Sequence, residues 1–268
     1  MSATIARHEF EAASPSEIRR AIRGGIWSGI TAGLATGFAQ ANLVVLPRSD
    51  AFDFLLFCVR NPQACPLIDV TDPGSPVPTL AAPEADLRTD LPRYRVYERG
   101  VLVEEPASIA HRWRDDMVAF LLGCSFTFER ALIDAGIRMR HIEQNVNVSM
   151  YRTNRTCRAA GKFFGPLVVS MRPVRADLVK RAIAITSAFP GSHGTPVWTG
   201  DPAELGITDL AEPDWGDAVL PESDEIPVFW ACGVTPQAVA IQSRPELMIT
   251  HAPGHMFVTD IPAAGARA

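Results

Sequence analysis

Val228-Phe-Trp-Ala-Cys-Gly-Val-Thr-Pro236 passes within nine residues from an apolar run, through a turn, to the start of a helix. Residues 227–231 read as a buried strand, Gly233 as the turn, and Thr235-Pro236 as the opening of a helix through Ala240. A strand that feeds straight into a helix is a unit of layered α/β folds. Outward from it, residues 165–171 read as another buried strand and 177–189 as a helix that stops at Pro190-Gly191. Residues 247–250 and 256–259 read as two last short strands.

Toward the N-terminus, Ser14-Pro-Ser-Glu17 supplies a cap, an N1 proline and an N3 carboxylate for a first helix that Gly24-Gly25 closes. Residues 51–60 form a second helix, ended by Asn61-Pro62, and 66–83 are proline-rich connecting chain. Residues 93–96 and 101–105 flank Arg99-Gly100 as a β-hairpin. In 108–122, Ile109, Trp113, Val118, Leu121 and Leu122 recur near helical spacing, which predicts an amphipathic helix. Ser125 then stands where the N-cap of a helix through Asp134 belongs. The expected fold class is α/β, a mixed sheet with flanking helices and a second, smaller α+β domain inserted mid-chain. The expected main domain comprises 1–118 and 200–268, and the insert 119–199.

Of the 268 residues 47% are hydrophobic and 21% charged, ordinary proportions for a globular chain. A net charge of −5 and a pI near 5.7 argue against nucleic-acid binding, which needs a concentrated basic surface. Arg7, His8, Glu9 and Glu11 interrupt any secretory leader in 1–13, and five glycines with Gln40 and Asn42 make 24–46 unfit to span a membrane. The five cysteines are an odd number without CxxC spacing, so reduced thiols and a cytoplasmic location are expected. A homodimer is the base-rate oligomer.

Several groups can carry chemistry. Helix starts near Gly233 and Thr235, and after Ser125, offer free N–H groups to an anion, each with a cysteine beside it, Cys232 and Cys124. Thr250-His-Ala-Pro-Gly-His-Met256 holds two histidines four apart; Pro253 and Gly254 between them break a helical zinc pair, so proton transfer by His251 and His255, oriented by Asp260, is the better reading. Residues 147–158 concentrate Tyr151, Arg152, Asn154, Arg155 and Arg158, and arginine forks bind carboxylates. Arg172 ends a predicted buried strand and needs a paired anion, either a protein carboxylate or the substrate. Arg88, Asp90 and Arg93 serve similarly or pair with one another. Each group has an ordinary structural reading as well: a common strand-to-helix turn, a simple cap, a core thiol, a hydrogen-bonded turn, a solvated arginine.

These segments resemble the bacterial hydro-lyase family related to D-glutamate cyclase. The likeness covers nearly the whole chain, through Gly37-Phe-Ala-Gln-Ala-Asn42, Ala51-Phe-Asp-Phe-Leu-Leu-Phe-Cys58, Asp86-Leu-Arg-Thr-Asp-Leu-Pro-Arg-Tyr94, Phe120-Leu-Leu-Gly-Cys-Ser-Phe126, Gly165-Pro-Leu-Val-Val-Ser-Met-Arg172, Val228–Pro236 and Ile249-Thr-His-Ala-Pro-Gly-His-Met256. It implies a carbon–oxygen lyase on a small amino or hydroxy acid and, through the cyclase, conversion of D-glutamate to 5-oxo-D-proline with loss of water. On that reading Arg152 or Arg172, with the N–H groups after Ser125, clamps a carboxylate, and His251, His255 and Asp260 move protons. Tyr151, Asn154, Gly233 and Thr235 complete the expected substrate contacts, and neither a cofactor nor a metal is required. Two other readings use the same groups: a non-catalytic protein binding a carboxylate metabolite, and a thiol hydrolase acting through Cys232 or Cys124, which needs a histidine beside the sulfur.

Overall fold

A computed structural model describes residues 7–263. Residues 1–6, the front of the segment read above for a leader, lie outside the described residues. The capping box forms as its sequence requires: the Ser14 N–H donates to Glu17 Oε2 at 2.8 Å and the Glu17 N–H to Ser14 Oγ at 3.4 Å, opening α1 (Pro15–Arg23).

The first sheet is organised around β1 (Phe38–Pro47), a ten-residue strand buried along almost its whole length. One edge of β1 pairs with β5 (Met117–Gly123), which pairs in turn with β2 (Leu67–Val70). The other edge is shared. β10 (Leu247–His251) takes Val44 and Val45, and β11 (Phe257–Pro262) takes Phe38, Gln40 and Ala41. β3 (Tyr94–Glu98) and β4 (Val101–Glu104) extend the sheet beyond β10. The helices α2 (Arg48–Arg60) and α6 (Thr235–Ser243) cover one face, where Val44, Phe54, Phe57, Phe120, Val239 and Met248 pack together. The opposite face is covered by connecting chain instead, with Ala81, Ala82, Ala85, Leu87 and Leu91 packed on Leu43, Val45 and Ile249.

The second sheet has the order β6 (Ser149–Thr156), β7 (Pro166–Arg175), β9 (Glu225–Ala231), β8 (Trp198–Thr199). α3 (Phe126–Asp134) and α5 (Val179–Thr186) bury Phe128, Leu132 and Ala182 against Val174, Val228 and Trp230 on one of its faces. The α/β character expected from sequence is present, and every pairing between named strands is antiparallel. The boundary expected at 118 falls inside β5, and the second sheet runs on through β9, past 199. The sheets also share a core, in which Cys124, Phe126, Met150, Val168, Cys232, Val234 and Met256 touch.

Two stretches depart from their sequence reading, the first being 66–83, read as connecting chain, in which residues 67–70 form β2. Residues 108–122 hold a short 3-10 turn, Ala110–Arg112, followed by β5, and not one amphipathic helix. All seven residues of β5 are buried, because Met117, Ala119 and Leu121 face one apolar cluster while Val118, Phe120 and Leu122 face another. An apolar run buried on both faces has no polar side to betray the strand period, and its chance spacing imitated a helix.

The crossing of β1, β5 and β9 leaves no slack. A Cβ on Gly233 would fall 2.0 Å from Asn42 Nδ2, while Asn42 donates to the carbonyls of Leu122 and Gly123 at 3.2 and 2.7 Å. We therefore expect Gly233→Ala to destabilise the protein by about 1–3 kcal/mol, the usual cost of overpacking, measured by urea unfolding. A midpoint equal to wild type would refute this account of the crossing.

Candidate functional site

Two polar centres flank the shared core, one buried and one open. The buried centre grows from β7. Strand alternation turns Ser170 and Arg172 toward α3, and Arg172 is only 1% exposed. Its guanidinium lies 5.5 Å from the ring centres of both Phe128 and Trp230. It donates to Glu129 Oε1 through Nε at 2.9 Å and again through Nη2, to Ser170 Oγ at 3.1 Å and to Ser125 Oγ at 2.9 Å. The required anion is thus a protein carboxylate. His141 Nε2 lies 3.1 Å from the same Glu129 oxygen, within ion-pair reach but not aligned as a hydrogen bond, and Glu129 Oε2 has no protein partner. Burial alone would raise the Glu129 pKa, but His141 and Arg172 outweigh it and hold the carboxyl at about 2.

Ser125 accordingly does not cap its helix through its hydroxyl, which accepts from Arg172 instead. Nor is the turn at Gly233 an open anion cradle, since the Asn42 side chain fills the space beside it. Thr235 Oγ1 accepts the Val168 N–H at 3.1 Å and donates to the Cys232 carbonyl at 2.7 Å, joining α6 to β7. Cys232 is buried, its pKa pushed up to about 11 by desolvation, and the Cys124 thiol is pushed up further by the same cause. Among the described residues no histidine is hydrogen-bonded to either sulfur, so the thiol–histidine pair that a thiol hydrolase needs does not form.

The histidine turn follows from the shared edge of β1. β10 leaves that edge after Thr250 and β11 rejoins it at Phe257, so Leu43 faces no strand there. His251 Nδ1 fills the gap, accepting the Leu43 N–H at 3.2 Å. His251 is 1% exposed, and burial drives its pKa down to about 3. The expected partnership of Asp260 with a histidine does not form, because both of its oxygens are taken by Arg19, at 2.9 and 3.1 Å.

His255, at the far end of the turn, is different. It lines an open cleft of about 440 Å³ together with Arg93, Arg95, Glu105, Asn147, Asp214, Trp215 and Pro253. Its Nδ1 lies 3.0 Å from the Pro253 carbonyl, and a carbonyl has no proton to give, so Nδ1 carries the hydrogen and Nε2 keeps its lone pair. Burial lowers the His255 pKa, helped by Arg93 and Arg95 and opposed by the Pro253 carbonyl and Glu105, so the ring is neutral at pH 7. Arg95 is bound to Glu105 at 2.8 Å, and Asp214 to Arg152 at 3.2 Å. Arg93 is exposed and, among the described residues, forms no ion pair. Among the same residues no three His, Cys, Asp or Glu side chains are arranged to hold a metal ion.

The basic segment splits. Arg152 stacks 5.3 Å from the Trp215 ring behind the cleft wall. Tyr151 turns into the second sheet's core and donates to the Leu210 carbonyl at 2.7 Å, and Asn154 reaches the Glu204 carbonyl at 3.5 Å. Sequence reading missed Arg95, Glu105, Asn147 and Trp215. The alternation of the 93–105 hairpin was the available signal for Arg95 and Glu105; nothing local pointed to Trp215.

The family of D-glutamate cyclase matches residues 118–260. The chain belongs to that family. A protein of Rubrobacter xylanophilus named "Putative hydro-lyase" is 64% identical, over 93% of this chain and 96% of its own length. A protein of the same name in Stutzerimonas stutzeri is 61% identical over 94% of this chain and 95% of its own, and "Putative hydro-lyase YcsI" of Bacillus subtilis is 58% identical over 92% and 96%. The chain is thus a hydro-lyase of the D-glutamate cyclase family. Among solved structures, a nitrogen repressor-like protein from Methanococcus jannaschii aligns over 90% of this chain and 96% of its own at 9% identity and a TM-score of 0.35, too loose a likeness to bear on the fold.

The buried centre makes folding sensitive to acid in a defined window. Glu129 is depressed from 4.5 to about 2, so the stability it contributes is full above 4.5 and is lost as pH falls toward 2. His193 and His251 stay neutral when folded, with values of about 4 and 3 against an ordinary 6.5, so the unfolded chain gains protons first and stability falls from pH 6.5 downward. Glu129→Gln leaves Arg172 buried without its anion. We expect it to cost about 3–5 kcal/mol at pH 7 and to flatten the slope below pH 4.5, read from urea unfolding across that range. An unchanged slope would remove Glu129 from the account.

Proposed function

We propose that the cleft at His255 is where this hydro-lyase acts on a small amino or hydroxy acid, with the cyclisation of D-glutamate to 5-oxo-D-proline as its first candidate reaction. The observation that carries the reading is a neutral His255 with an open Nε2 in the same cleft as Arg93, a cation without an ion pair among the described residues. In that chemistry the substrate ammonium gives up two protons, its nitrogen attacks the distal carboxylate carbon, a C–N bond forms, a C–O bond breaks, and the departing oxygen takes up two protons and leaves as water. His255 Nε2 relays these protons one at a time from the nitrogen to the departing oxygen, and Arg93 holds the α-carboxylate. Trp215, with Arg152 stacked on its ring, forms one wall of the cleft. A cytoplasmic location fits five buried cysteines that are all unpaired.

The test is NMR detection of product from D-glutamate, L-glutamate and a panel of hydroxy acids. We expect His255→Ala to lower turnover by about 10²–10⁴-fold, the usual weight of a general base, and Arg93→Ala to act mainly on KM. The wild-type rate should rise with pH through the lowered His255 pKa and level off above it, because only the neutral ring accepts a proton. Saturable binding of these acids without turnover would favour a carboxylate-binding protein, and full activity in His255→Ala would move the reaction out of this cleft.

A further inference from the structure

The turn that carries His255 is hydrogen-bonded by the Asn147 side chain, from the segment just ahead of β6. Asn147 Nδ2 donates to the Pro253 carbonyl at 3.0 Å, the same oxygen that His255 Nδ1 approaches at 3.0 Å. The fit around this contact is close: Gly254 has a φ of +82°, and a Cβ there would stand 2.5 Å from Asn147 Oδ1. Thr31 grips the turn from its other side, its N–H donating to the Gly254 carbonyl at 2.8 Å and its Oγ1 accepting the Met256 N–H at 2.9 Å.

Asn147 also holds the facing wall of the cleft. Its backbone N–H donates to Asp217 Oδ2 at 2.8 Å, and its carbonyl accepts the Asp217 N–H at 3.4 Å. Two residues on, Ser149 Oγ donates to the Asp217 carbonyl at 2.6 Å, and Met150 next to it exchanges backbone hydrogen bonds of 2.9 and 3.2 Å with Trp215. One residue therefore touches the segment that bears Trp215 with its main chain and the turn that bears His255 with its side chain.

We infer that Asn147 is a positioning residue for His255: through the shared Pro253 carbonyl it fixes the ring's tautomer and direction, and through Asp217 it sets the ring's spacing from the Trp215 wall. The catalytic consequence rests on the reading of the cleft given above. Both donors lie 3.0 Å from one oxygen, so they are at most twice that distance apart, and a charge placed on residue 147 acts on the imidazole at close range. The other charged or titratable groups around His255 are Arg93, Arg95 and Glu105 from the hairpin, His251 from β10 and Asp214 from the facing wall.

The experiment uses the full chain labelled with ¹⁵N-histidine, with the His255 signals identified by their loss in His255→Gln, and follows the ring nitrogens through a pH titration. In the wild type we expect the Nδ1–H tautomer to dominate at neutral pH. Asn147→Ala should let both tautomers populate, and Asn147→Asp, which keeps the shape of the side chain, should raise the His255 midpoint by about one pH unit or more. A tautomer unchanged in Asn147→Ala, or a midpoint unmoved in Asn147→Asp, overturns the inference, and Asn147→Asp decides alone if the alanine variant does not fold. These spectra require no substrate, so an inert wild type would count against the hydro-lyase reading of the cleft and an unmoved imidazole against Asn147. With an active wild type, Asn147→Ala should lower kcat by about tenfold or more while KM moves less.

Discussion

The structure depends on the unpaired interval along one edge of β1. A central strand must satisfy every backbone group, and β1 does so on one side with β5 and on the other with two strands that meet end to end. Where β10 departs and β11 has not yet arrived, an imidazole replaces the missing backbone, with His251 Nδ1 accepting the Leu43 N–H. That substitution lets five residues, 252–256, leave the sheet without orphaning the strand they leave, and the excursion carries His255 into the cleft. The two histidines thus divide the work, one closing a ladder and the other free to react.

The two polar centres separate stability from reactivity in the same way. Arg172 and Glu129 pair with each other inside the protein through one carboxylate oxygen, with Ser125, Ser170 and the rings of Phe128 and Trp230 around the guanidinium. A buried arginine saturated in this way binds α3 to the second sheet and has little left to offer a ligand. In the cleft the balance reverses. Glu105 and Asp214 neutralise Arg95 and Arg152, and Arg93 retains its charge toward solvent. An apolar layer that includes Met150, Val148, Cys232 and Met256 lies between the two centres.

Much of this was legible where a local rule was decisive. The capping box fixed the start of α1, and Pro253-Gly254 ruled out a helical pair of histidines in favour of a turn. The need for an anion at Arg172 was legible too, but not its source: Glu129 lies forty-three positions away, on a helix whose face is chosen only when the second sheet packs on it. β5 was misread because burial on both faces erases periodicity. The convergence of Asn147, Trp215 and His255 could not be read at all, since three segments distant in sequence meet there through main-chain contacts and one amide side chain, which leave no local pattern.

All five thiols, Cys58, Cys65, Cys124, Cys157 and Cys232, are buried and unpaired, spread across the cores of both sheets. Thiolate is the reactive form, and burial suppresses it. An external disulfide reagent can therefore reach them only when the chain opens. Their modification rate becomes a clock for the opening of each core, with Cys58 and Cys65 timing the first sheet, Cys124 and Cys232 the seam between the two, and native protein the silent baseline.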